Sequence, residues 1–193
     1  MPKERNFSPQ VYWNRICAEN TPELAFTGSN KEDFLDWHKQ ATACLTRLLG
    51  RFPERVPLDA EIEYSVLDGD IVRQRVVFDT EKHMSIPCQV LYPADMEPDG
   101  KNAALLCCHG HGPGKDAVAG IRNSAEREAF IKEHNFDFGL QMAEAGFFCI
   151  CPELRGFGER KVELPPFLYE CDPCNADYVK ATILGYYPLT LNL

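Results

Sequence analysis

The residues with the clearest capacity for chemistry lie in one glycine-rich segment, His109-Gly110-His111-Gly112-Pro113-Gly114-Lys115. It follows an apolar run, Ala103 to Cys108, and the glycines predict that a buried strand ends here in a tight loop. Glycine has no Cβ, so the backbone of such a loop can approach a ligand closely and direct its N–H groups at it. A loop of this kind after a central strand is suited to stabilising the oxyanion of an acyl-transfer reaction.

Two other pairs of residues carry competing interpretations. His109 and His111 have the spacing of a metal-ligand pair, but we expect His109 to pack beneath the loop and His111 to contribute only its backbone. Cys171 and Cys174 form a C-x-x-C pair, which occurs in zinc and redox sites, yet neither a second such pair nor suitably spaced histidines accompany it. We therefore predict no metal site and no cofactor.

Two further motifs are weaker. Lys115 follows a glycine, as in a phosphate-binding loop, but Asp116 stands where the Walker A motif requires serine or threonine. Glu153 and Glu159 have only their charge in common with the acid pair of a glycosidase. Neither motif predicts a nucleotide or glycoside site.

Composition narrows the functional class. The 193 residues are 45% hydrophobic and carry a net charge of −9, which indicates a globular domain and argues against nucleic acid as a partner. The polar N-terminus predicts no secretory signal, and no apolar stretch is long enough to span a membrane. Several of the nine cysteines lie in apolar runs, where a thiol behaves as a small hydrophobe. We expect a cytoplasmic protein with reduced thiols and no membrane partner.

The elements that position the loop can be predicted from periodicity. Two helices, over residues 8 to 19 and about Asn30 to Leu49, form a helical N-terminal extension of residues 1–56. A capping box of Ser29 and Glu32 starts the second helix. Residues 61–66 alternate polar and apolar side chains, as a half-buried strand does. Two more strands, over 71–78 and 86–92, complete an antiparallel meander.

The second half of the chain changes pattern. Residues 103–108 and 147–151 are apolar without alternation, which is typical of parallel strands covered on both faces. A helix over about 124–145, with an interruption near 135–139, separates them and predicts a right-handed βαβ unit. Another helix is expected over 175–185. The fold class is α/β, with residues 57–193 as the main domain.

Over about residues 60 to 185 the chain resembles the α/β-hydrolases, closest to their dienelactone hydrolase-like and acetyl xylan esterase-like branch. Two motifs carry this resemblance, HGHGPGK at 109–115 and AGFFCICPELRGFGE at 145–159. It implies antiparallel first strands followed by parallel βαβ units, with the first motif after the family's third strand. It also implies that the backbone N–H of His111 donates to the oxyanion, that Gly112 shapes the loop, and that Arg155 braces the second loop or contacts a substrate carboxylate.

The family's serine lies on a G-x-S-x-G elbow, followed by an acid and a histidine. None of the five serines in the chain has that context. The resemblance therefore implies an incomplete α/β-hydrolase domain, lacking the elbow and the rest of the triad. We interpret the chain as a fragment of a serine hydrolase that acts on small-molecule carboxylic esters, inactive alone. An oligopeptidase-like peptidase and a non-catalytic α/β binding module remain alternatives.

The same interpretation makes a prediction about association. Without the strand that carries the nucleophile, residues 103–108 would form an exposed apolar edge of the sheet. Exposed edges recruit other chains. We therefore expect self-association through this edge, unless the C-terminal tail covers it.

Overall fold

The computed structural model describes residues 5–97, 100–163 and 173–186. The chain divides into two compact units, Met1–Leu48 and Leu49–Leu193. The first is helical, and the second contains the sheet and the glycine-rich segment. No helix within the described residues combines the length and the apolar content needed to cross a bilayer.

The helical unit contains α1 (Pro9–Glu19) and most of α2 (Lys31–Leu49). The predicted cap of α2 is wrong by one residue. The Oδ1 atom of Asn30 accepts from the N–H of Asp33, whose carboxylate in turn accepts from the N–H of Ser29. Asparagine and aspartate therefore form the reciprocal cap that was expected of Ser29 and Glu32.

An aromatic cluster organises this unit. Trp37 donates its indole N–H to the carbonyl of Leu24 at 2.7 Å. Its ring lies 5.3 Å from Phe26 and 5.7 Å from Phe34, measured between centroids. These contacts hold the segment before α2 against the helix, because aromatic pairs at such distances contribute beyond simple burial.

Three antiparallel strands begin the second unit, β1 (Glu61–Asp68), β2 (Ile71–Glu81) and β3 (Met84–Pro93). All eight residues of β1 are exposed, whereas β3 is buried from Pro87 to Leu91. The register pairs Asp68 with Ile71 and Phe78 with Ile86, as two hairpins require. The predicted meander is confirmed.

Two parallel strands complete the described sheet, β4 (Ala104–Leu106) and β5 (Phe148–Pro152). The strand order is β1-β2-β3-β5-β4, with β3 antiparallel to β5. Three helices connect β4 to β5: α3 (Lys115–Val118), α4 (Ala125–His134) and α5 (Phe138–Glu144). A short 3₁₀ helix, Gly158–Arg160, follows β5, and α6 covers Pro173–Ile183. This mixed sheet is that of a partial α/β-hydrolase-like fold.

Residues 103–108 are not one strand covered on both faces, whereas the exposed apolar edge predicted for the same residues agrees with the described sheet. Only Ala104–Leu106 is extended, and Leu106 is 68% exposed. The reason is position: β4 is the last strand of the described sheet and has a sheet neighbour on one side only. An apolar sequence shows what a strand could bury, but burial also needs neighbours. Leu91, Cys107 and Cys149 nevertheless belong to the core between the sheet and its helices.

Candidate functional site

The glycine-rich segment joins the end of β4 to the start of α3. His109 and Lys115 at its two ends are buried, with 3% and 1% of their surface exposed. Gly110, His111 and Gly112 between them are exposed. The loop therefore has anchored ends and a solvent-facing tip, which is the arrangement expected of a backbone that presents itself to a ligand.

His109 fixes the first end of the loop. Its Nδ1 donates to the carbonyl of Gly110 at 2.8 Å, and its Nε2 accepts the N–H of Leu154 at 3.0 Å. The same Nε2 atom lies 3.2 Å from Oε1 of Glu153. The imidazole thus connects the loop to the segment that follows β5. The expectation that His109 packs beneath the loop agrees with this position.

Lys115 fixes the second end. Its backbone N–H donates to Oε1 of Glu153 at 3.1 Å, and its Nζ lies 3.3 Å from Oε2 of the same carboxylate. Glu153 is 2% exposed, so both charges of this pair are buried. Burial opposes ionisation of Glu153, but its contacts with His109 and Lys115 hold the pKa of this carboxyl below its ordinary value. A buried carboxylate and ammonium therefore stay charged and neutralise each other.

Glu159 extends this pair towards the sheet. It contacts the ammonium of Lys115, and Arg75 of β2 donates to both of its oxygens, at 2.7 and 2.8 Å. Such two-point contact is the strong geometry of an arginine–carboxylate pair. The bond from Arg75, opposed by partial burial, lowers the pKa of Glu159 to about 2. Burial would lower the pKa of Lys115, but the bond to Glu159 and the neighbouring carboxylates raise it above its ordinary value.

The carboxylate of Glu153 fits only because two glycines face it. A Cβ placed on Gly114 or on Gly158 would overlap the oxygens of Glu153. Gly114 has φ 84° and ψ −164°, a region that is essentially restricted to glycine. Gly158 also has a positive φ, of 47°. The glycines of the two motifs therefore leave room for one shared acidic side chain.

One aromatic ring contacts both histidines of the glycine-rich segment. The ring of Phe157 lies 5.1 Å from the His109 imidazole and 4.9 Å from that of His111, in edge-to-face orientations. Its neighbour Arg155 contacts the carboxylate of Glu81 at the end of β2. Arg155 is therefore placed where it braces the loop after β5, and its alternative contact with a substrate stays a prediction.

The structure brings together most of the residues singled out in the sequence. The two motifs meet through Glu153, Glu159, Lys115 and the Phe157 ring, whereas the ion pairs among them were not predicted. Each partner lies in an irregular segment, and 38 residues separate Lys115 from Glu153, so no periodicity connects them. The sequence contains one indication of such a contact. Each motif combines glycines with a charged residue, and each follows an apolar strand beside which that residue can be buried.

The metal and thiol alternatives have different outcomes. Within residues 5–97, 100–163 and 173–186, no group of three histidine, cysteine or acidic side chains is arranged to hold a metal ion. Cys171 lies outside the described residues, and so does the side chain of Cys174. The expectation that this pair holds no metal therefore stays a prediction.

Comparison with solved structures supports the fold. No family model matches the chain, and no curated protein matches it. A provisionally assigned acetyl xylan esterase from Bacteroides fragilis superimposes with a TM-score of 0.75 at 16% identity, over 97% of this chain and 48% of that one. The chain thus spans about half the length of that structure. Acetyl xylan esterases from Paenibacillus and Thermoanaerobacterium overlap less, with TM-scores of 0.39 and 0.38, at 19% and 17% identity. They cover 75% and 63% of this chain, and 41% and 38% of their own chains.

Proposed function

We propose that this chain is the oxyanion-binding half of a serine carboxylic-ester hydrolase, and that its 193 residues have no esterase activity by themselves. The observation that supports this most is the loop between β4 and α3. Its tip is exposed at the end of a parallel strand, and His109 and Lys115 anchor it on both sides. An oxyanion site needs donors that are held in place before the charge develops, because reorganisation during the reaction would cost free energy.

The reaction follows from this role. A serine attacks the ester carbonyl, and negative charge develops on the carbonyl oxygen of the tetrahedral intermediate. The backbone N–H of His111 donates to that oxygen, and Gly112 allows the backbone to approach it. One such donor is worth about 3–4 kcal/mol in the transition state. The alcohol then leaves, and water releases the acyl group from the serine.

The donor cannot replace the nucleophile. Ser8, Ser29, Ser65, Ser85 and Ser124 all lie outside a G-x-S-x-G elbow. Catalysis therefore depends on a nucleophilic serine, an acid and a histidine that this 193-residue chain does not supply.

The finer assignment is also part of the proposal. We place the chain in the dienelactone hydrolase-like and acetyl xylan esterase-like branch, with a small-molecule ester as substrate and a cytoplasmic location. The likeness to the Bacteroides fragilis esterase supports the assignment to ester hydrolysis.

The first experiment is an esterase assay of the 193-residue chain with 4-nitrophenyl acetate and an acetylated xylo-oligosaccharide. We expect no saturable turnover with either ester. Saturable turnover that a serine-directed phosphonate abolishes would contradict the proposed inactivity.

The second experiment restores the missing half. A chimera is made in which this chain replaces the corresponding half of the Bacteroides fragilis protein, and it is assayed with esters and with a peptide anilide. His111→Pro removes the backbone N–H, whereas His111→Ala keeps it. We expect ester hydrolysis that His111→Pro lowers about 10²–10³-fold in kcat and that His111→Ala leaves within a few-fold. Equal activity of the two variants in folded chimeras would contradict the role of His111, and preference for the anilide would favour the peptidase.

A further inference from the structure

Three cysteines lie on one face of the sheet where β4 meets β5. The N–H of Cys107 donates to the carbonyl of Ile150 at 2.8 Å, which continues the parallel ladder one residue past Leu106. In a parallel ladder this bond places Cys107 opposite Cys151. Cys149 is on the same face, two residues earlier on β5. All three are buried in the core.

The side chains of these cysteines differ in their surroundings. Cys107 and Cys151 are hydrogen-bonded through their thiols, and this bond lowers the pKa of Cys107 although burial opposes the shift. The same bond, with burial, raises the pKa of Cys151. Cys149 also hydrogen-bonds with the thiol of Cys107, and its own thiol lies 3.8 Å from the carbonyl of Phe147. The pair therefore has one sulfur that favours the thiolate and one that donates a proton to it.

The backbone distance suits a covalent bond between the two. Neighbouring strands of a sheet lie about 4.8 Å apart, and disulfides join cysteines whose Cα atoms are about 4.4–6.8 Å apart. A cross-strand disulfide at this position would not require the strands to separate.

We propose that Cys107 and Cys151 form an oxidisable dithiol, which a peroxide converts to a disulfide between β4 and β5. The Cys107 thiolate attacks one oxygen of hydrogen peroxide, the O–O bond breaks, and the other oxygen leaves as hydroxide, which takes up a proton to become water. Cys107 is then a sulfenic acid. The sulfur of Cys151 attacks that of Cys107, the S–O bond breaks, and the departing hydroxide takes the thiol proton and leaves as water. Two thiols lose two electrons in total, and one peroxide becomes two waters.

The position of this bond gives it a consequence for the loop. Cys107 immediately precedes Cys108 and His109, the anchored first end of the glycine-rich segment. Cys151 precedes Pro152 and Glu153, the carboxylate that anchors the second end. Oxidation would therefore fix the two strand ends that carry both anchors, and this holds whether or not the chain serves an esterase.

The test is peptide mapping of the full 193-residue chain. The reduced protein is treated with hydrogen peroxide, unreacted thiols are blocked with N-ethylmaleimide, and the protein is digested with trypsin without reductant. We expect an intramolecular link between peptides 102–115 and 133–155, and an intact monomer mass lower by about 2 Da before blocking. Dithiothreitol should reverse both changes.

Variants locate the bond, because each of the two peptides contains a neighbouring cysteine. Cys108→Ser and Cys149→Ser should keep the link, while Cys107→Ser and Cys151→Ser should abolish it. Far-UV circular dichroism confirms that each variant is folded. A link that survives Cys151→Ser, a bond between chains, or sulfinic acid at Cys107 without a link would overturn the proposal. So would unchanged thiols in the wild-type chain.

Discussion

Lys115 and Glu153 form an ion pair whose two side chains are both almost completely buried, at 1% and 3% exposure. Two charges leave water for such a pair only when each compensates the other, because the cost of burying an unpaired ion is several kcal/mol. The pair also spans the two glycine motifs, so the position of the candidate oxyanion loop depends on it.

Removing one partner of this pair should destabilise the second unit strongly. We expect Lys115→Met to lower the free energy of unfolding by about 3–5 kcal/mol, because it leaves Glu153 buried without its ammonium. Urea denaturation at pH 7 measures the change, and Lys132→Met, at an exposed lysine of α4, is the control. A double variant with Glu153→Gln should lose less than the sum of the single variants. Additive losses would mean that the two side chains are not coupled.

The glycines that face Glu153 should be intolerant of alanine. In Gly114→Ala the new Cβ overlaps the Glu153 carboxylate, at a position whose backbone conformation already disfavours alanine. We expect this variant to lower the free energy of unfolding by more than about 2 kcal/mol. Gly69→Ala is the matched control, since Gly69 has φ 62° but no atom within 4 Å of a built Cβ. It should cost only the backbone term of about 1–2 kcal/mol. Equal losses in urea denaturation would show that Glu153 is not pressed against Gly114.

Glu159 should make the free energy of unfolding depend on pH in the acidic range. Its pKa of about 2 in the folded chain lies below the ordinary value of about 4.3, so the unfolded chain binds more protons between these limits. The stabilisation is complete above about pH 5 and is lost as the pH falls towards 2. We expect Glu159→Gln to flatten this part of the pH profile, as measured by urea denaturation at a series of pH values. Glu144→Gln, at an exposed glutamate, should leave the slope unchanged.

His109 should protect a specific amide. His109→Ala removes the acceptor of the Leu154 N–H, and an unsatisfied partly buried donor costs about 1–3 kcal/mol. We expect faster hydrogen exchange at the Leu154 amide, measured by NMR. His111→Ala, at the exposed tip of the loop, is the control and should leave that exchange rate unchanged. Exchange at Leu154 that does not respond to His109→Ala would exclude the hydrogen bond.

The edge of β4 should promote self-association. Leu106 is 68% exposed on this last strand of the described sheet, and exposed apolar edges recruit other chains. We expect oligomers in sedimentation velocity that Leu106→Lys reduces, because a lysine on an edge opposes further pairing. Leu58→Lys, at an exposed leucine before β1, should have no effect. A monomeric wild-type chain at high concentration would contradict the prediction.

The sheet was more predictable from sequence than the site. Alternation along β1, the turn signals between β1, β2 and β3, and unbroken apolar runs at β4 and β5 are local signals, so the meander and the parallel pairing could be predicted. The exposure of Leu106 did not follow from the apolar run itself but from the absence of a further strand beside it, because the burial of a strand residue depends on its neighbours. The partners of Lys115 were equally inaccessible, since a contact between two irregular loops has no repeat. The expected position of His109 beneath the loop agrees with its burial and with its bonds to Gly110 and Leu154.

The helical unit has a consequence for every denaturation experiment on this protein. Both tryptophans of the sequence, Trp13 and Trp37, lie within Met1–Leu48, and Trp37 is held in the aromatic cluster there. Tryptophan emission therefore monitors the helical unit Met1–Leu48 and carries no direct signal from the strands of the second unit. Circular dichroism at far-ultraviolet wavelengths sees both units, so a gap between the two midpoints would show that they melt separately.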